Sequence, residues 1–223
     1  MARRKNIRRR RIILRNTFLL IKEHGLDNVS LQMIADKSEI SKSLLQSYYP
    51  HKSKLINDLM QEFMTVILKQ VAKKGASVDN TFAEMKVFID VLLELALRDI
   101  GVARALDSFF NNLTALGKWG KMLDDWLREE GLEQELGNDQ QTRIGLSFVV
   151  GGCINLYHQR GDLGITPEQI SDIMVKTFFS TFLDTDSETV QQDLDLGHDL
   201  IKKFSLDELQ TAVNQIFTEP IEE

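Results

Sequence analysis

The sequence predicts an all-α protein, with an N-terminal three-helix unit containing a helix-turn-helix followed by a larger helical body. Three observations carry this prediction. Only three prolines (Pro50, Pro167, Pro220) interrupt 223 residues, and β-branched alternation is scarce. A hydroxyl or amide residue followed three positions later by Glu or Gln recurs at Thr81/Glu84, Asn138/Gln141, Thr166/Gln169, Thr185/Glu188 and Ser205/Glu208, the pattern of a helix-opening capping box. Charge is divided along the chain. Residues 1–74 carry sixteen Lys/Arg against six Asp/Glu, a net of +10, and residues 75–223 carry eleven against twenty-seven, a net of −16.

The elements follow in order. Residues 1–7 form a basic arm. The first helix spans 8–24, with Ile13, Phe18 and Ile21 on one face and Gly25 at the position of a left-handed C-terminal cap. Ser30 caps a second helix through Lys37, and Ser41 caps a third through Tyr48, which Pro50 ends. A long fourth helix runs over 52–74. The body then predicts helices over 81–98, 139–160, 167–184, 187–203 and 206–217, with one or two more between 102 and 135. Pro167 supports the start at 167, because proline suits the first helical position.

Composition narrows the function classes. Hydrophobic content of 43% and charged content of 27% belong to an ordinary globular chain. The one cysteine, Cys153, excludes an internal disulfide and fits a reducing cytoplasm. The longest uncharged run, 144–157, is too short for the roughly 20 residues a bilayer span needs, so no membrane partner is expected. Glycine-rich phosphate loops, nucleophile elbows, metal boxes and paired catalytic carboxylates are missing from the sequence, so neither an enzyme nor a cofactor or metal is expected. A basic module joined to an acidic body points to a nucleic-acid reader with a second job, since like charge keeps the body off phosphate.

Residues 30–49, SLQMIADKSEISKSLLQSYY, hold the physical parts of a helix-turn-helix. Ala35 is small where the two helices approach, and Ile34, Ile40 and Leu45 can share a core. The second helix would offer Lys42, Ser43, Leu44, Gln46 and Ser47 to a major groove. An ordinary helical hairpin with a solvated polar face fits the same residues. Arg3, Arg4, Lys5 and Arg8 to Arg11 form a dense basic arm suited to a narrow minor groove or to flanking phosphates. A solvated tail is the alternative there.

Residues 8–68 resemble the N-terminal DNA-binding domain of TetR-type transcriptional regulators. The family pattern opens helix two with Ser/Thr, continues with an Ile-Ala pair, and then reads V-S-K-G-T-L-Y-x-Y-F-x-x-K-x-x-L. Ser30, Ile34-Ala35, Ser41, Lys42, Leu45, Tyr48, Lys52 and Leu55 match, and Tyr49 stands for the aromatic. The resemblance implies that Lys42, Tyr48, Lys52 and Ser30 hold phosphates, with Gln32, Ser41, Ser43, Leu44, Gln46, Ser47 and Tyr49 completing the DNA-binding set. Ser43-Leu44 replaces the common Gly-Thr and Gln46 a common Tyr. These changes point to a different operator, with Gln46 suited to adenine and Leu44 to a thymine methyl. Glu39 stands where the turn usually has glycine, at a strain of about 1 kcal/mol if left-handed.

The same resemblance implies a body, residues 75–223, that dimerises through its last two large helices and holds a small hydrophobic or amphipathic effector. Those helices, 139–160 and 167–184, are broadly apolar. Gly151 and Gly152 each cost about 1 kcal/mol of helix propensity, which a close backbone approach would offset. Val150, Gly151, Ile154, Ile170, Met174 and Phe178 are the expected interface residues, with a place for both helices in the monomer core as the alternative. Phe88, Phe109, Phe110, Asn112, Trp119, Trp126, Phe148, Asn155 and His158 are the candidate ligand contacts, and each aromatic could be plain core instead. Residues 185–217 add an amphipathic tail that would pack across the dimer or dock a protein partner. The expected function is a cytoplasmic, homodimeric repressor of a palindromic double-stranded DNA operator, released by an effector. The alternative is a DNA-binding scaffold whose tail recruits a protein.

Overall fold

The structure is a computed structural model, and it describes residues 7–75, 80–111, 113–129 and 139–215. Among these residues the regular elements are helical, with no strand. Four form the head: α1 (Ile7–His24), α2 (Leu31–Lys37), α3 (Lys42–Tyr48) and the first half of α4 (Lys52–Gly75). The body adds α5 (Thr81–Arg98), α6 (Ile100–Phe110), α7 (Leu113–Glu129), α8 (Asp139–Leu163), α9 (Pro167–Thr177), α10 (Ser187–Ile201) and α11 (Leu206–Gln215).

The head is built by local rules. Gly25 adopts φ +77°, and its N–H donates to the Ile21 carbonyl at 2.8 Å, closing α1. The Ser30 hydroxyl accepts from the Met33 N–H and the Ser41 hydroxyl from the Leu44 N–H, so both predicted caps are formed. Between them Glu39 sits at φ +54°, the left-handed conformation that the missing glycine would have taken without strain. Asn16 of α1 donates to the Lys37 carbonyl at 3.0 Å and lies 3.2 Å from the Ser38 hydroxyl, pinning this turn to the first helix. Ile13, Ile21, Ile34, Ala35, Leu45, Leu55 and Leu59 are wholly buried together.

α4 leaves the head and runs on into the body. There α5 is the central rod, buried along nearly its whole length and packed on α4, α6, α9 and α10. Its buried residues include Lys86 and Asp90, which pair at 2.7 Å. Two expected caps shift by one residue. Asn80, not Thr81, caps α5 and also donates to Asp193 of α10 at 2.6 Å. Asp186, not Thr185, caps α10, because its carboxylate accepts two backbone N–H groups. The Thr166/Gln169 capping box forms as expected; Asn138 lies outside the described residues.

The helix expected over 167–184 stays α-helical only to Thr177 and then widens into a π-helical turn, Phe178–Phe182. Its aromatic residues press on α8 at Gly145, where a Cβ would lie 2.6 Å from the Phe182 ring. Close approach therefore belongs to Gly145. Gly151 and Gly152 have open space where a Cβ would stand.

Candidate nucleic-acid interface and ligand cavity

α3 presents its polar residues to solvent because Leu45 and Tyr48 turn inward on the opposite face. Lys42, Ser43, Gln46 and Ser47 are exposed, as are the caps Ser30 and Ser41 and Gln32 of α2. Among the described residues neither the Lys42 nor the Gln46 side chain holds a hydrogen bond, so both heads are available to phosphate and base edges. Gln32 bonds Asp36 at 2.7 Å, Ser43 lies 3.0 Å from the Ser41 hydroxyl, and Ser47 donates to the Leu44 carbonyl at 2.7 Å. Leu44 is half-buried against the core.

Three residues of the expected DNA-binding set are turned into the protein. Tyr48 is 8% exposed and Tyr49 only 1%. Arg10 of α1 donates from Nε to the Tyr49 hydroxyl at 3.0 Å and from Nη2 to Asp58 Oδ2 of α4 at 2.9 Å. Burial pushes the Tyr49 phenol up to about 12, with the Arg10 hydrogen bond opposing it. Lys52 donates to the Leu26 carbonyl at 2.6 Å, and burial lowers its pKa. It ties the start of α4 to the loop between α1 and α2. Arg3 and Arg4 lie outside the described residues.

The expected ligand residues do not converge. Phe88, Phe109, Phe110, Trp119 and Trp126 are buried in the core of the body, with Phe110 stacked on Trp119 at 5.6 Å. Phe148, Asn155 and His158 are exposed on α8, and Asn112 lies outside the described residues. Of the described residues of the set, Trp119 lines a cavity. That cavity, about 330 Å³, lies between α4 and α7 and is walled by Met60, Met64, Met122, Asp58 and Lys118 besides Trp119. Three methionines give it a soft apolar wall, and its Asp58 is the carboxylate that Arg10 holds.

The expected dimer residues divide differently from the sequence reading. Val150, Ile154, Ile170, Met174 and Phe178 are buried within the chain's own core, and only Gly151 is exposed. The outward face of α8 and α9 instead carries Ile144, Phe148 and Ile173, which are 54%, 64% and 46% exposed, around the open Gly151 and Gly152. On α8 the exposed positions 144, 148, 151, 152 and 155 fall at helical spacing and form one stripe. Cys153 faces inward, and burial pushes its thiol up to about 12, which makes it inert as a thiol sensor. No helix among the described residues is long and apolar enough to cross a membrane.

Comparison with known proteins agrees with this geometry. Residues 13–59 match the family described as bacterial regulatory proteins, tetR family. The nucleoid occlusion factor SlmA of Pasteurella multocida is 23% identical over 99 residues, covering 44% of this chain and 50% of that protein. SlmA of Haemophilus ducreyi is 25% identical over 128 residues, covering 56% and 60%. The chain thus spans about half the length of the curated relatives it matches. The crystal structure of RolR in complex with resorcinol superposes with a TM-score of 0.59 at 18% identity, over 83% of this chain and 92% of that one. At that identity the likeness concerns the fold alone.

Proposed function

We propose that this chain, which carries the DNA-binding domain of the TetR family of bacterial regulatory proteins, is a homodimeric repressor released from a palindromic operator by a small-molecule effector. The observation that carries the reading is the pairing of an exposed polar recognition helix in the head with an exposed apolar stripe on the body. One α3 reads too few base pairs to be selective, so two copies must be joined at a fixed spacing. The stripe of Ile144, Phe148, Gly151, Gly152 and Ile173 supports the α8–α9 face as the joint, because apolar side chains this exposed call for cover.

The α4–α7 cavity supports the effector step. Asp58 stands both in the cavity wall and in the link through Arg10 to Tyr49, the residue that caps α3. A ligand that drew Asp58 away would loosen that link and favour a head geometry unable to bind DNA. The scaffold alternative has less support. Val190, Leu194 and Leu200 of α10 and Leu209 and Val213 of α11 are buried against this chain's own α4 and α5, so the tail's apolar face is already covered.

Selection of bound sequences from random duplex DNA, followed by footprinting, tests the proposal. A two-fold symmetric motif with half-sites about one helical turn apart, or a multiple of it, is expected. Tight binding of a monomer to a single half-site would sink it.

A further inference from the structure

Glu168 and Asp172 lie one turn apart on α9, and His198 reaches them from α10. The His198 Nε2 is 3.1 and 3.2 Å from the two oxygens of Asp172 and 3.4 Å from Glu168 Oε1. One ring nitrogen carries at most one proton, so it cannot serve two carboxylates at once. Behind them, the wholly buried Lys86 ammonium lies 3.0 Å from Asp172 Oδ1 and 2.7 Å from Asp90 Oδ2. Ser171 donates to the other oxygen of Asp90 at 2.6 Å. A single buried cation is thus shared by two carboxylates. Three carboxylates, Glu168, Asp172 and Asp90, stand near the one buried ammonium of Lys86. Lys86 also fixes the orientation of Asp172, as an outer partner does for a ligating carboxylate.

We propose that Glu168, Asp172 and His198 form a binding site for one divalent transition-metal ion of the zinc class. The gaps of 3.1 and 3.4 Å from Nε2 to the two carboxylates match the edges of a coordination polyhedron with bonds of about 2.0–2.2 Å. An imidazole beside two carboxylates selects such an ion over magnesium or calcium, which prefer oxygen alone. Glu168 is exposed, so the ion has a path in and water can complete its shell. Bound there, the ion ties α10 to the helix that bears Ile173, independently of whether an effector exists.

The full-length protein, stripped with chelator, is titrated with Zn²⁺ by calorimetry and with Co²⁺ by visible absorption. One ion per chain is expected, with visible Co²⁺ bands and a melting temperature that rises with Zn²⁺. His198→Gln and Glu168→Gln should each weaken binding by at least about tenfold and abolish the Zn²⁺-dependent rise. Circular dichroism checks both folds, and the exposed Glu168 variant alone suffices if the His198 variant unfolds. No uptake by the parent protein overturns the proposal. So does unchanged affinity in a folded variant, which would place the ion elsewhere, and so does Mg²⁺ binding as tightly as Zn²⁺.

Discussion

The recognition face of α3 and the outer face of α8 and α9 are both exposed helical surfaces, yet they are made in opposite ways. On α3 a short helix buries Leu45 and Tyr48 and shows solvent only short polar groups and one lysine. On α8 the buried side is apolar too, and the solvent side shows Ile144, Phe148 and two glycines with nothing above them. A polar exposed face is satisfied by water until phosphate replaces it. An apolar exposed face gains from cover that water does not give, which is why it is proposed above as the joint between two chains. The first surface is complete within one chain; the second, as the proposed joint, would be covered only where two chains meet.

Gly151→Leu combined with Gly152→Leu tests that contrast most severely. Because neither position has a neighbour within the chain, the fold should persist, and each replacement adds about 1 kcal/mol of helix propensity. The dimer should be lost, and operator affinity should fall by about 10³-fold, toward non-specific binding. Sedimentation with a binding titration checks both, and a double-leucine protein that stays dimeric on its operator would place the joint elsewhere. On the other surface, Gln46→Ala should relax preference at one base position by about 1–3 kcal/mol. Lys42→Ala should weaken all sequences alike and reduce the log–log salt slope by about one. An unchanged selected motif in the Gln46 variant removes its readout role.

Smaller effects sharpen the comparison inside the head and at its base. Glu39→Gly should raise unfolding stability by about 1 kcal/mol, since φ +54° costs glycine no Cβ clash; denaturant titration measures it. Asp99 caps α6 and accepts from Lys22 of α1 at 2.7 Å. Although burial opposes it, the Lys22 bond and the Val102 and Gly101 N–H groups hold its carboxyl below the usual range. A depressed folded pKa gives stability that is full above the unfolded value of about 4 and is lost as pH falls through the folded one. Asp99→Asn should therefore be less stable than the parent at neutral pH, with the gap closing in acid. A gap independent of pH would mean that the carboxylate's charge is not what matters.

Where a structural choice was local, the sequence spelled it out. Ser30, Ser41 and Gly25 all follow from neighbours within four residues, and all stand as expected. The caps of α5 and α10 moved by one residue because Asn80 and Asp186 accept better than the adjacent threonines, and Asn80 has Asp193 to bind as well. Partners distant in sequence were not legible: nothing in the motif says that Lys52 is held by Leu26 or Tyr49 by Arg10. On α8, apolar nearly all round, composition could not choose the outward side. Asn155 in register with Phe148 and the glycine pair was the available hint. Spacing rules likewise passed over Glu168, Asp172 and His198, because the histidine arrives from another helix.

The junction at Lys22 couples α11 to α1, far apart in sequence. Lys22 Nζ also donates to Asn214 of α11 at 3.0 Å, and Gln210 of α11 donates to the same Asp99 carboxylate at 2.8 Å. Arg104 adds bonds to the Lys22 and Glu23 carbonyls at 3.2 and 2.9 Å. α11 therefore meets α1 and α6 at one junction, and a change in it should reach α1 through Lys22 and Asp99 and not through α3. In the proposed dimer a tilt of α1 would change the stride between two grooves. A lineage could retune the gap in its operators by editing residues 206–215 while leaving the letters it reads unchanged. Footprints of a chain cut before Leu206 would show that as altered half-site spacing with an unaltered half-site.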